Sequence, residues 1–248
     1  MPQSSPTQAK PDAAALDAAF EALKTYDQGS SRGALMPIDE AVMVSLDDKA
    51  AQKELEQRLV ATLKNGRSAV ANEFTCSKLT LIGSEASVPA LAPLLSAPEF
   101  ATAARNALEA IRGRQATKAL RNSLSKVEGL QKVGVINSLG ARRDADSVRA
   151  LTALLKHEDA GVAGAAAAAL GDIATTNAAK ALREFQPKAP EALRQKVVDA
   201  ILTCAERLSA AGKHSDAQKL FQLLATTAQP KHVQHAAVRG LELASGKK

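Results

Sequence analysis

Tryptophan is absent from this chain of 248 residues, tyrosine occurs once (Tyr26) and phenylalanine five times. Strands favour aromatic and β-branched side chains, so the composition speaks against an all-β sandwich or barrel. Cysteine is almost absent as well. Cys76 and Cys204 lie 128 residues apart, each among apolar residues in a helical pattern. That setting predicts two buried free thiols, with a disulfide as the alternative. There is no CxxC or CxxCH spacing, so the usual sequence signals for metal, redox and haem sites are missing. Long apolar runs are missing too. The longest small-residue run, Ala165 to Leu170, falls far short of the roughly 18 residues a membrane span needs. The N-terminus, MPQSSPTQAKPD, has no basic segment followed by an apolar one. No secretory signal is expected in this sequence, although a trimmed one stays open. Charge is unremarkable: 32 basic against 26 acidic residues give 32 − 26 = +6.

What is present is alanine and leucine, both strong helix formers. Residues 1–11 are rich in Pro, Ser and Gln and predict a disordered tail. Asp12 is placed to cap a helix over Ala13 to Lys24, whose apolar stripe is Leu16, Ala19, Phe20 and Leu23. Further helices are expected over Ala34 to Ser45 and Asp48 to Lys64. Residues 12–47 therefore form an N-terminal helical cap.

A repeat follows. Leu79, Leu108, Leu139 and Leu170 are spaced by 29, 31 and 31 residues, and Leu91, Leu120, Leu151 and Leu182 keep the same spacings. Each member of the second set lies 12 residues after its partner in the first. The local text agrees: VPALAPLLS (Val88–Ser96) matches VRALTALLK (Val148–Lys156), and NALEAI (Asn106–Ile111) matches AALGDI (Ala168–Ile173). Each unit is a helix pair. Gly83, Gly113, Gly140 and the segment after Ile173 are expected at turns between pairs. Pro89, Pro187 and Pro190 fall near helix starts, where a missing N–H matters little. Gly164, in the middle of AGVAGAAAAALG, marks an expected close approach between neighbouring helices. One helix pair cannot bury its apolar face alone, so stacking of pairs must build the core.

A helix hairpin with a Val-x-x-Leu-x-x-Leu-Leu first helix and an Ala-Leu-Gly-x-Ile second helix resembles the HEAT repeat, in the short form of bacterial HEAT-like proteins. VRALTALLKHEDAGVAGAAAAALGDIA (Val148–Ala174) is the clearest unit. The resemblance implies an all-α fold, a right-handed α-α superhelix of HEAT/armadillo type, with repeats over 48–189. Residues 190–248 continue the array as C-terminal helices. Within them Ala205–Ala225 resembles a tetratricopeptide hairpin with a Gly-Lys turn. Similar bacterial proteins are often one section of a longer exported polypeptide, which leaves export open here.

No catalytic residue, cofactor or metal site is expected. His232 and His235 share a helix face, but no acidic residue or cysteine accompanies them at ligand spacing, and HExxH, GxSxG and P-loop patterns do not occur. The paired histidine–glutamate pattern of HEAT-like iron hydroxylases is missing. Asp47-Asp48 and Asp144/Asp146 sit at helix starts, where carboxylates serve as caps. Among the basic residues on or beside second helices are Lys78, Arg105, Lys132, Arg142, Arg143, Arg194 and Lys196. Arg105, Lys132, Arg142 and Arg143 are the expected partner-binding set. The expected function is a monomeric, non-catalytic scaffold that binds a protein or a neighbouring domain. A HEAT-like nucleic-acid binder, or a HEAT-like lyase or glycosylase, is the alternative. Nucleic acid is disfavoured by the lack of aromatics for base stacking, and HEAT-like glycosylases hold DNA with tryptophan.

Overall fold

The alanine- and leucine-rich segments are helical in the computed structural model, which describes residues 12–63, 68–226 and 229–245 and contains no strand among them. The expected tail over 1–11 lies outside the described residues. Packing divides the chain into two compact units, Met1–Ser123 and Leu124–Lys248. The division falls inside 48–189, the segment whose sequence pattern runs on without a break.

The first unit contains α1 (Ala13–Lys24), α2 (Met36–Val44), α3 (Lys49–Thr62), α4 (Ala69–Ile82), α5 (Val88–Leu91), α6 (Ala101–Ala110) and α7 (Arg114–Ser123). Asp48 opens α3 by accepting from the amides of Ala50 at 3.0 Å and Ala51 at 3.1 Å, and Ser68 opens α4 through the Ala71 amide at 3.0 Å. Each satisfies amides that lack an intrahelical partner. Asp12, by contrast, makes no side-chain cap bond to α1. The stripe on α1 is buried as its spacing requires, with Ala19, Phe20 and Leu23 inside. Pro89 lies in the first turn of α5, and Pro93, which has no N–H to bond back to Pro89, limits α5 to one turn, which continues as a 3-10 turn over Ala92–Ser96.

The second unit contains α8 (Gly129–Ala141), α9 (Val148–Leu154), α10 (Ala160–Ile173), α11 (Thr176–Phe185), α12 (Glu191–Ala210), α13 (His214–Leu224) and α14 (Lys231–Ala244). Ten of the fourteen residues of α10 are buried, because it is packed between α8 and α12. A helix enclosed on two sides has no room for a polar face. That is why α10 is built from Ala and Gly where a two-sided helix would carry larger or charged residues. A Cβ on Gly140 would come within 2.9 Å of the Ala169 Cα, and one on Gly171 within 2.6 Å of the Ala200 carbonyl oxygen. These two contacts repeat the same step of 29 residues. Gly140 therefore lies within α8 at a helix contact, and not at a turn as its sequence context suggests. The turn comes three residues later, where Arg143 takes φ +50°, and its counterpart after α10 is Ala174 with φ +48°. Gly164 does meet a neighbouring helix, but there the contact is the Lys196 side chain on α12, with Cδ 2.8 Å from a Cβ.

All eight leucines of the register have no exposed surface: Leu79, Leu108, Leu139 and Leu170, and Leu91, Leu120, Leu151 and Leu182. The first set sits on α4, α6, α8 and α10 and the second on α5, α7, α9 and α11. The expected C-terminal hairpin is formed by α12 and α13, with Gly212 at φ +75° in the turn.

Candidate functional site

The four basic residues singled out from the sequence are not equivalent. Arg105 on α6 is partly exposed and forms an ion pair with Glu109 at 3.5 Å. Lys132 on α8 is buried, with 7% of its surface exposed, and its ammonium donates to Glu128 at 3.0 Å. Its position explains this. Seven residues separate Lys132 from Leu139, close to two helical turns, so both lie on one stripe of α8. Lys132 is thus a buried lysine that sends its charged end out along the helix to Glu128. Arg142 caps the C-terminus of α8 and is half-buried, while Arg143 is exposed in the turn. Arg105 belongs to the first unit and the other three to the second.

The two thiols are buried and held in the protonated form. Burial, reinforced by Glu73, pushes Cys76 up to about 12, and burial, reinforced by Asp216, pushes Cys204 up to about 12. Both are free cysteines. Among the described residues no group of three or more His, Cys, Asp or Glu side chains is arranged to hold a metal ion. No helix among them is long and apolar enough to cross a membrane.

Each unit carries a surface cleft that the sequence did not reveal. In the first, about 880 Å³ lies between the start of α3, the end of α4 and the residues after α6. Leu46 and Leu81 line it and stay 40% and 55% exposed. Lys49, Lys53 and Arg112 line it too. Its two carboxylates are occupied by the backbone and by hydroxyls. Glu56 is buried and accepts from the Ser84 amide at 2.7 Å, the Ser84 hydroxyl at 2.8 Å and the Ser87 hydroxyl at 2.5 Å. Glu85 accepts from the Gln115 amide at 2.8 Å. Both acids tie one helix turn to the next; Glu56 is buried, and Glu85 is partly exposed. In the second unit, about 480 Å³ lies between α9, the end of α11 and the start of α12. Leu155, Phe185 and Leu193 line it, with Lys156 and Lys188 at its edge.

Two further cations are engaged in structure. Arg58 lies 4.1 Å over the Phe20 ring and pairs with Asp17 at 2.7 Å. Lys78 pairs with Asp39 at 2.7 Å and sits 5.0 Å over Phe74. The scarce aromatics thus support helix packing in the first unit.

The HEAT-repeat family model matches residues 130–202, the stretch from α8 into α12. No curated protein matches the chain. Among solved structures, lipovitellin is similar with a TM-score of 0.57 at 12% identity; the match covers 98% of this chain and 27% of that one. The complex of CpcE and CpcF of phycocyanin lyase from Nostoc gives a TM-score of 0.46 at 18% identity, covering 100% of this chain and 98% of that one. The archaeal HEAT-like repeats protein from Thermococcus onnurineus gives 0.45 at 12% identity, covering 92% and 96%. Among the described residues the fold is all-α, with HEAT-like repeats over 130–202.

Proposed function

We propose that this chain is a non-catalytic scaffold whose surface clefts dock another protein or a neighbouring domain. The observation that carries the reading is the first unit's cleft, where exposed leucines lie beside cations while both acids of the site are hydrogen-bonded internally. Such a surface has apolar area to bury and charge to orient an incoming chain, the two components of a protein interface. The cleft of the second unit differs: Leu155, Phe185 and Leu193 line it from within the core, and Lys156 and Lys188 at its edge are exposed. The competing surfaces are the turn arginines Arg142 and Arg143 of the second unit and, separately, Arg105 on α6 of the first.

The test is affinity capture from the source organism, followed by calorimetry with the captured protein purified. A partner that rebinds the purified chain, and does so less tightly when the exposed Leu46 and Leu81 are changed to Gln, supports docking at the first unit's cleft. Rebinding that is lost on reversing Arg105, Arg142 and Arg143 instead would move the interface to the basic turns. Failure of every captured protein to rebind in purified form would overturn the scaffold reading.

A further inference from the structure

The cleft of the first unit carries an imbalance that the fold does not use. Lys49 opens α3 directly after its cap Asp48, whose carboxylate accepts from the Ala50 and Ala51 amides, and Lys53 follows one turn on. A helix N-terminus carries partial positive charge, so Lys49 gains nothing from the macrodipole. Lys49 is hydrogen-bonded to a neutral group, Gln52, at 3.0 Å. Among the described residues, no carboxylate pairs with Lys49, Lys53 or Arg112. Glu56 and Glu85 are the acids that line the cleft; both oxygens of Glu56 are held by Ser84 and Ser87, and one oxygen of Glu85 accepts from the Gln115 amide. Beside these three cations, Leu46 and Leu81 expose side chains that would gain from burial.

We propose that this cleft binds an acidic polypeptide segment carrying a leucine-like side chain, with the apolar group covering Leu46 and Leu81 and its carboxylates meeting Lys49, Lys53 and Arg112. The inference rests on the scaffold reading and adds the site and the chemistry of the partner. A peptide fits better than a nucleic acid. The exposed side chains are aliphatic, and no aromatic residue lines the cleft on which a base would stack. Three exposed cations with no ion-pair partner among the described residues, against the buried Glu56 and the partly exposed Glu85, leave the cleft positive, which favours carboxylates by charge complementarity. Each exposed pair contributes little alone, so the apolar contact must supply the anchor.

The experiment uses the full chain and a fluorescent synthetic peptide, Glu-Glu-Leu-Asp-Glu-Leu-Leu-Glu-Asp-Glu, read by anisotropy. Three probes accompany it: the peptide with Ser for each Leu, the peptide with Lys for each acid, and a single-stranded oligonucleotide. The expected result is saturable binding of the first peptide, weakened about tenfold or more by Lys53→Glu with Arg112→Glu and likewise by Leu81→Gln. Leu243→Gln, at an exposed position in the second unit, is expected to leave binding unchanged. These positions are exposed, so the variants keep the helical circular dichroism that certifies their fold. Absence of binding up to about 1 mM peptide, equal binding by the cleft variants, or equal binding of the Ser peptide would each overturn the inference. So would tighter binding of the oligonucleotide that is lost in the same variants. A purified partner that docks on the Lys53→Glu/Arg112→Glu protein as on the wild type would sink this site while leaving the scaffold reading intact. If the peptide binds as expected but no captured protein rebinds, the scaffold reading falls by itself.

Discussion

Ala174 ends α10 with φ +48°, a conformation in which an L side chain crowds the following carbonyl. Glycine avoids that crowding, although it also enlarges the entropy of the unfolded chain. Ala174→Gly is therefore expected to stabilise the protein by about 0.5–1 kcal/mol, read from urea melts; a loss of stability would show that the turn is not strained. Nothing in the composition marks this position. Alanine in a helix-rich sequence carries no turn signal, and the same is true of Arg143. Gly140 carries a signal that points the wrong way, since glycine serves both turns and close helix contacts, and only the location of Ala169 tells which. Gly171 and Gly164 also differ. A methyl at 171 meets the backbone of Ala200, whereas one at 164 meets the far part of the Lys196 side chain, which can move aside. Gly171→Ala is expected to cost about 1–3 kcal/mol by overpacking. Gly164→Ala is expected to be neutral or to stabilise by up to about 1 kcal/mol through helix propensity. Comparing the two in thermal melts checks the ordering.

At the scale of the helix, the leucine register was legible because burial along a helix has a period that the sequence displays directly. Leu139 and Leu170 have no exposed surface, so truncation of either to Ala should cost about 2–5 kcal/mol. A change within a few tenths in urea titrations would mean that the contacts are misplaced. The same spacing placed Lys132 on the buried stripe of α8, a deduction available from its distance to Leu139. The clefts were not legible. Leu46, Leu81 and Arg112 are brought together by turns whose geometry depends on the buried Glu56 and on Glu85. Contacts between α11 and α13 were hidden for the same reason. The Thr176 hydroxyl donates to Asp216 at 2.7 Å, and chiefly this bond, with Lys219 nearby, holds the Asp216 carboxyl below the ordinary range. Because the folded state lowers this pKa, its contribution is complete above the unfolded carboxylate range and is lost as pH falls through the folded value. Thr176→Val is expected to cost about 0.5–1.5 kcal/mol at neutral pH and to flatten the acid limb of the stability profile. An unchanged acid limb would count against the Thr176–Asp216 bond.

Across the whole molecule, stability in stacked repeats is approximately a sum of local and nearest-neighbour contributions. A single melting midpoint is then an incomplete description, and different regions open at different free energies. The two cysteines supply a way to read this. Cys76 is buried in the first unit and Cys204 in the second, and each thiol is held protonated by its surroundings. A thiol reagent can modify either one only after its own neighbourhood opens and the thiolate forms. The pair therefore acts as a two-channel clock, one hand for each half of the chain, with no label to be introduced. Mass spectrometry of peptides spanning each cysteine during slow alkylation would time both hands in one sample. Leu170→Ala is expected to speed the modification of Cys204 more than that of Cys76. Equal acceleration at both would mean that the chain opens in one step, and the clock would then have a single hand.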